Sequence, residues 1–487
     1  MKDIREEWLK VVKKWALSPD SPDSEEYWCK ELDTASRDKI KEVQSEKLEV
    51  AFRYLWEYSP FYRGKFQKEK LAPHDIRSVE DLHKIPVTTK QEWVDNQAAY
   101  PPFGNFSPVS HERWTQSGWM FFATSGTTAK PRVFRRTLHD REMWVYNWAR
   151  TLWAMNIRPG DGKIPGDVMM ICFGYAPFVA FWGAHYGASD IGIPVIPGGG
   201  LDTNRRAFFI NEYQPTVLVC TPSYAIFLAE NMKELGYDPA ASSVRALITA
   251  GEPGPCIPAT KKRIEEMWNA TLMEVMGCTE MAPVPLLYSC WSDAVNCGKE
   301  GRVHAPHLFE DMYLPESVDP DTFEPVPDGE RGMIVASNLF EESQPILRYT
   351  IGDYWTIDRK SICSCGRIHA RVPGGLTGRA DDMLKFKGVV MFPSTIESVI
   401  REIPEAGEEF AVEITSDRGM DNMLIKVEPA HGIEDTVENR KMIQKKVSEA
   451  MKMKVGVSVK SECLPANTLP RTEFKARRVK DMREKVH

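Results

Sequence analysis

The chain has 487 residues, of which 42% are apolar and 27% charged, and its net charge is −7. These proportions exclude collagen, a coiled coil and wholesale disorder, and the length corresponds to about three domain-equivalents. An acidic balance argues against a general nucleic-acid binder, which needs a basic face. It leaves room for a small polyanion held in a local pocket.

The chain opens with a charged amphipathic stretch without an apolar run, MKDIREEWLKVVKKW, so no secretory signal is expected. Ten cysteines are too few for a disulfide scaffold and read as reduced thiols of a cytoplasmic protein. Residues 1–100 interleave charged and apolar residues, with aromatics at Phe52, Tyr54, Trp56 and Tyr58, the texture of surface helices. Residues 168–189 lack Asp, Glu, Lys and Arg and are long enough to cross a bilayer. Pro177, His185 and three glycines break them instead into a strand (168–172), a loop and a packed helix (178–189), so no membrane span is expected.

Further short apolar runs at 194–196, 217–220, 246–249 and 272–275 read as strands. Helices are predicted over 222–235 and 258–268, each beginning on a proline, where the missing N–H costs nothing. Alternating strands and helices imply a mainly parallel sheet covered on both faces. Residues 310–358 are β-rich with Pro/Gly turns. Beyond residue 378 the pattern is mixed: a turn at Lys387–Gly388, a helix from Pro393, strands near 410–414 and 423–427, and a helix near 437–451. The predicted fold is therefore α/β: a large N-terminal domain (1–378) with mainly parallel sheets, flanking helices and a β-rich subdomain, followed by a small mobile α+β C-terminal domain (379–487).

The strongest chemical signal is FFATSGTTAKP at 121–131. Small hydroxylated residues and glycine in series let backbone N–H groups converge on an anion, and Lys130 adds a charge, so a polyphosphate fits. The run is not the GxxxxGK[ST] P-loop, and taken alone it also matches an ordinary polar turn.

It does not stand alone. The run resembles the phosphate loop of the adenylate-forming (acyl-CoA synthetase) superfamily, and five further stretches match in order: AGEPG at 250–254, MGCTE at 276–280, LRYTIGD at 347–353, GRADDMLKFKG at 378–388 and LPRTEFKARRV at 469–479. Within that superfamily the chain most resembles the phenylacetate–CoA ligases, through GAHYGASDIG (183–192), VIPGGG (195–200), TPSYAIFLAE (221–230), HLFED (307–311) and CSCGRIHAR (363–371). The resemblance implies that an acid and ATP give acyl-AMP and pyrophosphate, and that coenzyme A then takes the acyl group as a thioester.

Residue by residue, the resemblance implies that Thr124, Ser125, Gly126, Thr127, Thr128 and Lys130 cradle phosphates, and that Gly251, Glu252 and Pro253 border the adenine. Met276, Gly277 and Thr279 lead to Glu280, the magnesium ligand. Asp353 holds the ribose hydroxyls, Arg379 reaches the ribose or phosphate side, Asp381 is the hinge and Lys475 carries the adenylation step. Glu280, Asp353 and Lys475 also suit, respectively, a solvated surface, a turn after Gly352 and a basic tail. Ala129, Met276 and Phe474 stand where the family pattern has glycine, an aromatic residue and glycine.

The acid pocket departs further: FGYAPFVAFWGAHYG at 173–187 places Tyr175, Phe181, Trp182 and His185 there. Phe181 and Trp182 fill positions that are small or aliphatic in the phenylacetate enzymes, and added volume excludes a large ligand. The expected acid is aryl or small and branched or hydroxylated. The turn Cys363–Ser364–Cys365–Gly366 suits a zinc knuckle, and some relatives add an upstream Cys and His. The candidates here are Cys290 with His307, or Cys297 with His304. The resemblance also favours a homodimer. A non-catalytic acyl- or nucleotide-binding protein on the same fold, and an adenylating enzyme that loads a carrier protein, remain the alternative readings.

Overall fold

The computed structural model describes residues 3–124, 132–175, 179–299, 302–376, 378–379, 384–386, 389–417, 420–470 and 478–483. A ribbon of β1 (Gly118–Ala123) and β2 (Val133–Thr137) precedes the central layer. That layer is a seven-stranded sheet of β3 (Met169–Ile171), β4 (Val195–Pro197), β5 (Val217–Cys220), β6 (Ala246–Thr249), β7 (Thr271–Cys278), β8 (Ala282–Tyr288) and β9 (His307–Leu308), in the order β4-β3-β5-β6-β7-β8-β9. The first five strands of that order run parallel and the last two antiparallel. Strands β3, β5 and β6 are buried along their whole length, which is why they read as unbroken apolar runs.

The crossover helices begin and end on local signals. Helix Pro222–Glu234 starts on Pro222 after Thr221, whose hydroxyl accepts the Tyr224 N–H. Helix Pro258–Trp268 ends on Asn269 in the left-handed conformation, one of the few non-glycine types that adopts it readily. The charge-poor segment resolves into β3 and the helix Val179–Ser189, and no helix among the described residues is long and apolar enough to cross a membrane.

A four-stranded sheet follows, β10 (Tyr313–Val318), β11 (Arg331–Asn338), β12 (Tyr349–Thr356) and β13 (Gly378–Arg379). Pairing of Asp353 with Arg379 and of Tyr354 with Gly378 carries this sheet to Arg379. The C-terminal unit has a hairpin, β14 (Leu384–Phe386) and β15 (Val389–Met391), and a sheet of β16 (Ala406–Asp417), β17 (Met420–Pro429), β18 (Lys460–Cys463) and β19 (Val479–Asp481), with helices Pro393–Arg401 and Val437–Val455. Its core, built on Phe386, Ile396, Val412, Ile414, Ile425, Ile443 and Val447, is separate from the main core. The predicted turn at Lys387–Gly388 and the hinge Asp381 lie outside the described residues.

Candidate functional site

Strands β5, β6 and β7 all end at one rim, where an open parallel sheet leaves a crevice for a ligand. The segments that follow them supply its walls. After β6, Gly251 sits at φ 87°, a conformation glycine adopts without strain. Gly254 packs so closely that a Cβ there would meet Pro222 Cγ at 2.7 Å. Between them Glu252 accepts hydrogen bonds from the Ser223 hydroxyl (2.5 Å) and amide (3.4 Å). At the end of β7, Met276 and Gly277 lead into Thr279 and Glu280. A Cβ on Gly277 would lie 2.8 Å from the Val284 carbonyl.

The β1–β2 ribbon brings the phosphate-loop stem to the same rim. The Thr124 amide donates to the Arg132 carbonyl (2.9 Å) and the Arg132 amide to the Thr124 hydroxyl (3.2 Å), closing the base of the loop. Ser125, Gly126, Thr127, Thr128 and Lys130 at its tip lie outside the described residues, as does Lys475. Beside the stem, the buried Glu280 carboxylate pairs with the Arg132 guanidinium at 2.6 Å and accepts from the Tyr349 hydroxyl at 3.4 Å. A carboxyl oxygen beside the stem of such a loop is the kind of donor that a magnesium ion takes. Asp353 stands opposite Arg379 in the β12–β13 ladder; the Arg379 side chain is outside the described residues.

Sequence reasoning missed the support beneath this motif. Arg136 on β2 donates to the Thr279 carbonyl (2.9 Å) and to Gln344 Oε1 (2.9 Å), and it pairs with Glu341 at 3.0 Å with both side chains fully buried. Burial, with Asp140 nearby, pushes the Glu341 carboxyl up to about 8 against the pull of Arg136. The only local signal for this network is the pair of arginines in VFRR after the phosphate loop.

The four pocket residues named from the sequence converge. Tyr175 meets Trp182 edge-on at 4.8 Å and shares a 3.1 Å hydrogen bond between its hydroxyl and His185 Nδ1. Phe181 stacks on Phe173 at 3.6 Å, and Trp182 stacks on Tyr186 at 5.9 Å. Burial lowers the pKa of His185 and raises that of Tyr175, so the pair is uncharged at neutral pH. Gly199 lies against this wall, and a Cβ there would strike the Phe173 carbonyl and the Tyr175 ring.

Apart from the crevice, Cys290, His307, Cys363 and Cys365 bring one donor atom each within 4.8 Å of all the others. Cys290 and Cys363 sulfurs are 3.6 Å apart, and Cys365 Sγ is 3.4 Å from His307 Nε2. A tetrahedral zinc with Zn–S of about 2.3 Å and Zn–N of about 2.0 Å sets these separations at about 3.8 and about 3.5 Å. His307 Nδ1 meets the His369 carbonyl at 3.2 Å, the kind of outer contact that orients a ligating imidazole. Hydrogen bonds from Cys290 and Cys363, with His307 beyond them, hold the Cys365 thiol far below its usual range, so the set favours a thiolate. The other upstream pair is committed elsewhere: His304 bonds Asp293 (2.8 Å) and Ser289 (2.9 Å) and groups with Cys256 and Glu274.

Two family models match the chain: the AMP-binding enzyme over residues 63–339 and the AMP-binding enzyme C-terminal domain over 388–483. A phenylacetate–coenzyme A ligase of Thermus thermophilus is 33% identical over 470 residues, covering 93% of this chain and 99% of that protein. The Escherichia coli K12 phenylacetate–coenzyme A ligase is 31% identical over 457 residues, covering 93% and 98%. A 2-hydroxyisobutyryl-CoA ligase, 29% identical in sequence, superposes with a TM-score of 0.86 in its postadenylation state, covering 94% of this chain and 93% of that one. In its thioesterification state the same ligase gives 0.68. With Thr124, Gly251–Gly254 and Met276–Glu280 gathered at one rim and the relatives matched nearly end to end, the chain belongs to the AMP-binding enzymes, among the phenylacetate–CoA ligases and their kin.

Proposed function

We propose that the substrate of this AMP-forming carboxylic acid–CoA ligase is a compact acid, branched or hydroxylated, smaller than or shaped differently from phenylacetate. The observation that carries this reading is the aromatic wall of Tyr175, Phe181, Trp182 and His185, closed by the Phe173–Phe181 stack at 3.6 Å. A wall without charge favours an uncharged tail, and the Tyr175–His185 pair offers hydrogen-bonding capacity to a hydroxyl. The similarity to a ligase of 2-hydroxyisobutyrate supports the same direction.

In the first half-reaction the carboxylate oxygen attacks the α-phosphorus of ATP and pyrophosphate leaves. In the second, the coenzyme A thiol attacks the acyl carbon and AMP leaves. Thr124, Ser125, Gly126, Thr127, Thr128 and Lys130 hold the phosphates. Gly251, Glu252, Pro253, Met276, Gly277 and Thr279 line the adenosine side, and Asp353 with Arg379 holds the ribose. Lys475 stabilises charge at the attacked phosphate and leaves with the C-terminal domain as Asp381 turns. Glu280, whose carboxylate also pairs with Arg132, would hold a magnesium ion, which would supply neutralisation of phosphate charge. Cys290, His307, Cys363 and Cys365 would hold a structural zinc. The enzyme works in the cytoplasm as a homodimer.

The test is a panel of acids with ATP and coenzyme A, reading pyrophosphate release and thioester separately. Small branched or hydroxylated acids should turn over best; best turnover with phenylacetate sinks the proposed acid class. Absence of acid-dependent pyrophosphate exchange with every acid would restore the binding-protein reading, and adenylation without a free thioester would restore the carrier-loading one.

A further inference from the structure

A second cleft, of about 680 Å³, is walled by Tyr58, Tyr100, Pro101, Phe103 and His111. Its charged member is Arg135 of β2. Successive strand residues face opposite sides, so Arg136 turns to the Thr279 loop while its neighbour Arg135 turns to this cleft. Arg135 is 6% exposed. Its guanidinium lies 4.5 Å from the Phe103 ring centre and 5.9 Å from that of Trp114, and one Nη donates to the Val109 carbonyl at 2.9 Å.

A buried cation is normally paired. Arg136 and Arg150, buried at least as deeply, each face a carboxyl group at 2.6–3.0 Å, while Arg206 is held by the Gly198 carbonyl and the Tyr224 ring. Among the described residues no carboxylate pairs with Arg135, and burial alone, unopposed by any carboxylate, pulls its pKa down. The nearby Asp3 carboxylate is engaged by the Tyr58 hydroxyl at 2.8 Å and the Arg5 amide at 3.0 Å.

We infer that this cleft is a ligand site, distinct from the acid pocket, for an anion carried on a planar aromatic body: Arg135 receives the anion, and Tyr100 and Phe103 take the ring. A planar guanidinium suits carboxylate and phosphate alike, so the ligand is either the nucleotide end of coenzyme A or a free aromatic carboxylate.

Calorimetric titration with AMP saturating the nucleotide crevice tests this, using adenosine 3′,5′-bisphosphate and benzoate as the two probes. One of them should bind saturably, and the one that does names the source. Arg135→Gln should weaken that probe about tenfold or more, the cost of losing a charged hydrogen bond, and Arg135→Lys less. Tyr100→Ala, at the exposed rim, should weaken the same probe without lowering the melting temperature, which keeps the test independent of Arg135's part in folding. Saturable binding of neither probe, or binding unchanged in both Arg135→Gln and Tyr100→Ala, overturns the site. Acid-dependent pyrophosphate exchange, measured on the same preparations, reports the catalytic reading separately.

Discussion

Arg263, on helix Pro258–Trp268 of the large domain, ion-pairs across to Glu408 on β16 of the C-terminal domain. Next to it Arg478 pairs with Glu409 at 3.6 Å and reaches the Ser223 hydroxyl at 3.4 Å, and that hydroxyl in turn donates to Glu252 of the adenine-side loop. The chain superposes better on a postadenylation-state relative (0.86) than on the thioesterification state of the same ligase (0.68). The Arg263–Glu408 pair is therefore formed in the domain arrangement that superposes better on the postadenylation relative. The Arg263 side chain is 32% exposed, so solvent screens the pair and about 1 kcal/mol is the appropriate scale.

Arg263→Ala should then shift the balance of the two orientations by about fivefold. Acid-dependent pyrophosphate exchange should fall by up to that factor, while thioester formation from supplied acyl-AMP should hold or rise, because population lost from one orientation passes to the other. The charge swap Arg263→Glu with Glu408→Arg should restore exchange. Equal loss in both half-reactions, or a swap no better than the single change, would refute a docking role for this pair.

Lys475→Ala should abolish most pyrophosphate exchange and spare thioester formation from acyl-AMP; equal losses contradict its assigned role. Cys363→Ser should strip the metal and lower the melting temperature; elemental analysis finding no near-stoichiometric zinc in the wild-type protein would remove the zinc site. Trp182→Ala opens the acid pocket and should move the kcat/KM ratio toward phenylacetate, at a stability cost of about 3 kcal/mol; an unchanged ratio argues that Trp182 is core alone. The Glu341 carboxyl, at about 8 against an ordinary 4.5, holds its proton more tightly when folded. Its contribution is complete below about pH 4.5 and is lost as pH rises through about 8. Glu341→Gln should therefore flatten the fall in melting temperature between about pH 5 and pH 8, and an unchanged slope refutes that titration.

Local patterns carried much of the architecture. The predicted strands 217–220 and 246–249 and helix 258–268 coincide with the observed elements, because continuous apolar runs and proline starts are signals within a few residues. Boundaries slipped where tertiary pairing extends an element: the strand expected over 272–275 runs Thr271–Cys278, prolonged by its ladder with β8. The aromatic cluster was legible, since Tyr175, Phe181, Trp182 and His185 fall within eleven positions on a loop and the helix that follows.

The ordered motifs by themselves determined the family and the reaction, because both are written in side-chain type at short, fixed spacing. Tertiary structure alone decided the pairings between distant segments. It chose Cys290 and His307 over Cys297 and His304 as partners of the CxC turn, since only the first pair reaches within 4.8 Å of it. It put Arg136 against Glu341, some two hundred positions away, and left Arg135 facing a cleft lined, among the described residues, by no carboxylate. Adjacent arginines look alike in a sequence; the strand's two-residue period, and what happens to pack on each face, puts one against the Glu341 carboxyl and the other between the Phe103 and Trp114 rings.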